Sequence, residues 1–226
     1  MRTTTKEGIS GDAINVGFVG TISEIIAAMH TAGWSPADAI TMKSTLAIAG
    51  SVVFDRPDPY APVSTLLYDG RRQDLAFEKA VGQSASQRHH VRLWNVLEAG
   101  KEGRPVWLGA ATFDRSVGLS RYTGQITHHI SADIDSERDR LIADLGRAGC
   151  LSQTYLVSGI GPTLRARNGG GDLFHTDGDI QVGVISPGAT PLAGAPERLD
   201  TPSALAIKNT VWARGKNLMR ITGWID

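Results

Sequence analysis

The chain alternates between short apolar runs and segments of helical spacing. Residues 14–20 (INVGFVG) form an apolar run between polar and glycine residues, which predicts a buried strand. Residues 22–31 switch to a helical repeat, with Ile22, Ile25, Ile26 and Met29 on one stripe and Gly33 placed to stop the helix. A second helix is predicted over 42–54, with Leu46, Ala49 and Val53 in register and Pro57, Pro59 and Pro62 closing it. Residues 63–68 and 74–79 read as strands. Three clearer strands follow over 88–96, 104–113 and 124–130. Short glycine-containing loops join them, which predicts an antiparallel meander.

Residues 135–148 (DSERDRLIADLGRA) carry the strongest helix signal. Asp135 or Ser136 is the expected cap, Glu137 sits in the first turn, Leu141, Ile142 and Leu145 form the stripe, and Arg147 lies in the last turn. Further strands are expected over 151–158, 163–167 and 180–185, with a flexible connection at 168–171 and a hairpin turn at Asp177-Gly178. Thr201-Pro202 opens a last helix to about residue 213, and 218–224 return as a strand. Residues 25–34 and 141–150 echo each other through Ile26/Ile142, Ala27/Ala143, Ala32/Ala148 and Gly33/Gly149. Duplicated βα units or shared helix-ending chemistry would both explain this. The expected architecture is therefore one α+β domain over 1–226, a mainly antiparallel sheet with three or four covering helices and a possible internal βα duplication.

Composition narrows the function. The 226 residues contain 23 Lys+Arg and 23 Asp+Glu, a formal charge of zero that argues against an electrostatic nucleic-acid binder. The single cysteine, Cys150, excludes a disulfide framework and a multi-cysteine zinc knuckle. The N-terminus shows no apolar signal region, and the longest nearly apolar stretch, 46–54, is far short of the ~20 residues a spanning helix needs. A soluble chain without a transmembrane segment, cytoplasmic by default, is expected.

Four of the six histidines come as the pairs His89-His90 and His128-His129, each on a predicted strand. Side chains alternate between faces of a strand. His90 shares a face with Arg88, Arg92 and Trp94, whereas His89 goes with Val91 and Leu93. His129 goes with Gln125 and Thr127, whereas His128 goes with Ile126 and Ile130. His89 and His128 therefore read as core residues, and His90 and His129 as catalytic candidates. The small residues Gly109, Ala110 and Ala111 on the intervening strand would leave a hollow between them. A shared divalent metal ion is conceivable there, since each nitrogen needs to come within ~2.1 Å.

Arginine forks hold phosphate or carboxylate in bidentate fashion. Arg72, Arg88 and Arg92 are the candidates to hold an anionic small molecule, with Asp177 as a further ligand-contacting residue. Asp114, at a strand end, and Asp133, four residues after His129, are the candidates to orient a histidine. Several motifs fail. SGIGPT (158–163) lacks the third glycine and following helix of a dinucleotide fingerprint, and no Walker A loop or G-x-S-x-G elbow occurs. SRYTGQITHHISAD (120–133) has the wrong spacing for the Arg-then-His motif of membrane-type acid phosphatases.

Several of these segments, in order, resemble the LssY-type C-terminal domain family of bacterial proteins. They are GDAINVGFVGT (11–21), APVSTLLYDGRRQDLAFEK (61–79), RHHVRLW (88–94), PVWLGAATFD (105–114), THHISADIDSERD (127–139) and GGGDLFHTDG (169–178). The resemblance covers roughly 11–185. It implies a cell-envelope or lipid-phosphate setting and a membrane-associated partner, because such domains often follow membrane-embedded phosphatase-like or transport-like segments. It carries over no catalytic residue. Two functions are therefore expected. The first is a hydrolase acting on a phosphate-containing or other anionic small molecule, with a divalent metal ion as an optional assistant. The alternative is a ligand-binding or regulatory module that uses the same face without turnover. Turnover calls for a histidine within hydrogen-bond reach of a carboxylate in an enclosed pocket, and capture alone for an open, unpaired basic face.

Overall fold

A computed structural model describes residues 1–37, 43, 65–82, 87–101, 103–122, 124, 126–190, 192, 194–200 and 203–222. Apart from Lys43, the helix predicted over 42–54 and its closing prolines lie outside the described residues, as do Thr201 and Pro202. The chain opens with β1 (Arg2–Thr5) and β2 (Ser10–Ala13), followed by β3 (Val16–Val19), α1 (Ile22–Thr31) and β4 (Ser35–Pro36). Next come β5 (Leu66–Tyr68), β6 (Arg71–Arg72), β7 (Leu75–Ala80), β8 (Arg88–Leu97), β9 (Val106–Leu119) and β10 (Ile126–Ile130). Then follow α2 (Ile134–Arg147), β11 (Leu151–Ser158), β12 (Thr163–Arg167), β13 (Leu173–Thr176), β14 (Asp179–Ile185), β15 (Glu197–Arg198) and α3 (Ser203–Ile221).

The expected helix-covered, mainly antiparallel α+β sheet is corrected by this arrangement. The protein is sheet-rich, and its large sheet is mixed, in the order β15-β11-β14-β3-β9-β8-β7-β4, with β10 also paired to β9. β3 is inserted between β9 and β14 and runs parallel to β14, and β15 runs parallel to β11. The meander β7-β8-β9-β10 is antiparallel as its short loops require, but it forms only one side of the sheet. Local turn signals reveal hairpins, whereas the parallel pairs come from distant segments and leave no local mark.

Helices cover one face of the sheet. Ile25, Ile26 and Met29 of α1 and Leu141, Ile142 and Leu145 of α2 pack on Phe18, Phe77, Val91, Leu93, Trp107 and Leu151. A second sheet covers part of the opposite face. This small sheet has the order β2-β1-β5-β6, and its Leu66 and Tyr68 pack with Trp94, Ala110 and Ile180. The third described helix, α3, leaves Ile207, Val211, Leu218 and Ile221 exposed and adds no comparable layer. It runs through Ile221, which overturns the strand expected from residue 218.

Both covering helices start and stop on chemistry written in their own sequence. Thr21 and Glu24 form a capping box at α1. At α2 the cap is Asp133, whose Oδ1 accepts from Ser136 N at 3.2 Å, two or three residues earlier than expected. Each helix ends on an Ala-Gly pair in which glycine takes positive φ, +79° at Gly33 and +65° at Gly149. The next residue's N–H returns to the carbonyl five residues back, from Trp34 to Met29 and from Cys150 to Leu145. The echo between 25–34 and 141–150 thus coincides with one shared helix-ending motif.

Candidate functional site

The face of β8 turned from the helices carries Arg88, His90 and Arg92 at two-residue spacing, all buried. Period-two alternation places them together because His89, Val91 and Leu93 take the helix-covered face. His89 is held there by Glu137 of α2, Nδ1 to Oε2 at 2.8 Å, and stacks near Phe113. On the other face, β9 brings Thr112 opposite His90 and Asp114 opposite Arg88. The result is a cavity of about 380 Å³ between the two sheets, lined by Arg88, His90, Arg92, Thr112, Asp114 and His128, with Asp12 and Asn168 on the far wall. The turn between β1 and β2, at Lys6 and Glu7, borders it.

The cationic groups are largely matched. Arg88 donates from Nε to Asp114 Oδ2 at 3.2 Å, from Nη1 to Glu78 Oε2 at 3.0 Å and from Nη2 to His128 Nε2 at 3.2 Å. Arg92 Nη1 stands 3.5 Å from Asp12 Oδ2, and Asn168 Nδ2 donates to Asp12 Oδ1 at 3.3 Å. Asn168 is itself fixed because its Oδ1 accepts from the N–H groups of Gly170 and Asp172. His90 is 2% exposed, and its Nε2 is buried without a hydrogen-bond partner. A buried polar nitrogen left unpaired is costly.

Burial and the nearby cations Arg92 and Arg88 hold His90 well below the ordinary histidine range, so its ring is neutral near pH 7. Burial likewise lowers His128, against the opposing pull of Asp114. Burial raises the carboxyls of Asp12 and Asp114, although Arg92 lies beside the first and His128 and Arg88 beside the second. The cavity therefore combines a neutral imidazole, two guanidiniums and two carboxyls pushed toward their protonated forms, the ingredients of acid–base chemistry.

Of the residues singled out in the sequence, the structure brings together Arg88, His90, Arg92 and Asp114 and leaves the others elsewhere. His129 points away from the cavity. Its Nδ1 lies 2.7 Å from Asp172 Oδ1, and its ring lies over Gly118. His128 takes the cavity position instead. His128 and Ile130 both border the cavity, across a register irregularity between His129 and Ile130, and Ile130 also packs with Ala13, Ile134 and Phe174. Asp133 caps α2 rather than orienting His129, and lies 4.0 Å from His175. Arg72 is exposed on β6. Asp177 pairs with Arg138 at 2.8 Å. Asp177-Gly178 is not a hairpin turn, because β13 pairs with β12 and β14 with β11 and β3.

The hollow expected at Gly109–Ala111 is filled: a Cβ on Gly109 would collide with Leu93 and Val16. The residue facing His90 is Thr112. Among the described residues, no group of three or more His, Cys, Asp or Glu could hold a metal ion. Asp12, Asn168 and Thr112 were not singled out by motif or spacing. A lone acid in SGDAIN, two residues before an apolar run, is the only local signal for Asp12.

No described helix is long and apolar enough to cross a membrane. No curated protein and no solved structure matches the chain. The family model described as LssY C-terminus matches residues 1–180, a span that contains every residue lining the cavity. The chain belongs to the LssY C-terminus family.

Proposed function

We propose that the cavity binds a phosphate-containing small molecule and hydrolyses it. The observation that carries this reading is the cavity wall itself, which sets His90 between Arg88 and Arg92 on one strand face with Asp114 beside Arg88. Paired guanidiniums suit a phosphoryl group, because several N–H donors can meet its oxygens at once. A neutral imidazole supplies a base or nucleophile, and a carboxyl raised by burial supplies a proton. The arginines contact Asp114, Glu78 and Asp12 rather than forming an open basic face. That arrangement is not the open, unpaired basic face that capture alone calls for.

The test is a phosphoesterase screen on the purified full chain, begun with p-nitrophenyl phosphate and accompanied by elemental analysis for a divalent metal. Phosphate release is expected, falling by about 10²-fold or more in His90→Gln, the scale set by losing a group that acts on the reacting atoms. Saturable phosphate binding without turnover across the panel would replace the hydrolase with a binding module.

A further inference from the structure

We propose that α3 docks the protein on the surface of an anionic lipid bilayer, lying flat with one apolar stripe in the headgroup layer. This is independent of the cavity chemistry, and α3 lies beyond residues 1–180 that the family model matches. Along α3, Ile207, Val211, Arg214, Leu218 and Ile221 recur at steps of four, three, four and three residues. That spacing sets all five on one face, along about 21 Å of helix. Ile207, Val211, Leu218 and Ile221 are 66%, 67%, 62% and 83% exposed, and Arg214 is exposed between them. The helix meets the body of the protein on another side. Lys208, about 100° round the helix from Ile207, sets its Nζ 3.1 Å from where a Cβ on Gly161 would stand.

A long exposed row of aliphatic side chains marks an interaction surface, and charge decides what covers it. Ser203–Ile221 carries Lys208, Arg214, Lys216 and Arg220 and no Asp or Glu, a formal charge of +4 in a chain whose total is zero. These residues disfavour a second copy. The stripe is centred on Arg214, seven residues from Ile207 and seven from Ile221. Two α3 helices packed by this face, parallel in register or antiparallel about its centre, set Arg214 against Arg214. No acidic residue of α3 can make the cross-helix ion pairs that would offset this repulsion. An anionic bilayer meets both features at once. The aliphatic side chains enter the acyl boundary, while the long Arg214 side chain reaches up to the lipid phosphates. The positive charge of the helix adds attraction to the negative surface. No described helix is apolar enough to cross the membrane, so α3 lies on it.

The experiment sediments the purified full chain with vesicles of phosphatidylcholine alone, or of equal parts phosphatidylcholine and phosphatidylglycerol. Cosedimentation with the anionic vesicles only is expected, weakening as salt is raised. Two variants introduce good helix formers at exposed positions, so α3 is retained and melting curves should not move. Val211→Gln combined with Leu218→Gln should weaken binding about 10-fold or more, by removing two of the four apolar side chains. Arg214→Glu leaves those side chains in place and should also weaken it about 10-fold or more. No cosedimentation with the anionic vesicles would overturn the proposal. Equal binding to neutral and anionic vesicles, or binding that neither variant changes, would overturn it as well. So would a dimer in sedimentation equilibrium that the double glutamine variant converts to monomer, a result that gives the stripe to a second copy.

Discussion

Arg88 on β8 donates from Nη2 to His128 Nε2 on β10 at 3.2 Å, reaching past β9, which lies between the two strands. A guanidinium can only donate, so His128 accepts at Nε2 and is neutral with its hydrogen on Nδ1. The contact puts the two adjacent histidines of β10 in different roles. His128→Ala should reduce turnover of p-nitrophenyl phosphate by removing a partner of Arg88. His129→Ala should leave turnover nearly unchanged and instead lower stability by about 1–3 kcal/mol, because the buried Asp172 loses a close partner. Denaturant melts and steady-state rates on both variants check this. Equal kinetic losses in the two would show that the faces of β10 are misassigned.

Stability should fall as the solution is acidified through the histidine range. His90 and His128 have folded-state values below their unfolded ones, so the unfolded chain binds more protons as pH drops below about 6.5. Their penalty is absent well above that pH and grows until the folded values are passed. Asp12 and Asp114 act with the opposite sign. Their folded values are raised, so their contribution is complete below the ordinary carboxylate range and is lost as pH rises through the folded values. Comparing melts of the native chain and His90→Gln between pH 8 and pH 5 isolates one histidine, and the variant should show the shallower slope. Parallel slopes would mean that His90 takes up a proton in the folded protein without resistance.

Asn15 should be among the most sensitive polar positions. It is buried, donates from Nδ2 to the carbonyls of Ala111 and Ile134 at 3.0 Å each, and accepts from Ala111 N at 2.8 Å. It thereby ties β3 to β9 and to the first residue of α2. Asn15→Leu leaves three backbone groups without that partner, at about 1–3 kcal/mol each where no water reaches them. Thermal melts should show a large loss. A change below ~1 kcal/mol would mean that water or a shifted backbone satisfies these groups.

Leu145 tests the helix layer separately from the cavity. It is fully buried between α2 and the large sheet. Leu145→Ala should cost about 2–5 kcal/mol in denaturant melts, the range for truncating a core leucine. Turnover of the fraction that remains folded should be unchanged, since the cavity lies on the other face of the sheet. A loss below ~1 kcal/mol would place α2 away from the core.

Much of the local structure could be read without the fold. The stripes of α1 and α2, the glycines that end them and the meander β8-β9-β10 follow from short-range patterns, because capping, φ > 0 and period-two alternation act within a few residues. The grouping of Arg88, His90 and Arg92 on one face was legible in RHHVRLW for the same reason. The assignment of His128 and His129 was not. Alternation divides a strand into two faces, but what covers each face is decided by distant segments. Here a second sheet contributed by residues 2–13 and 66–72 covers part of one face of the large sheet, so a buried face can be polar and Ile130 can belong to a cavity wall. Asp12 and Asn168 meet across 156 positions of sequence. No local spacing encodes that contact. The parallel pairing of residues 16–19 with 181–184 likewise joins segments far apart in the chain on one sheet.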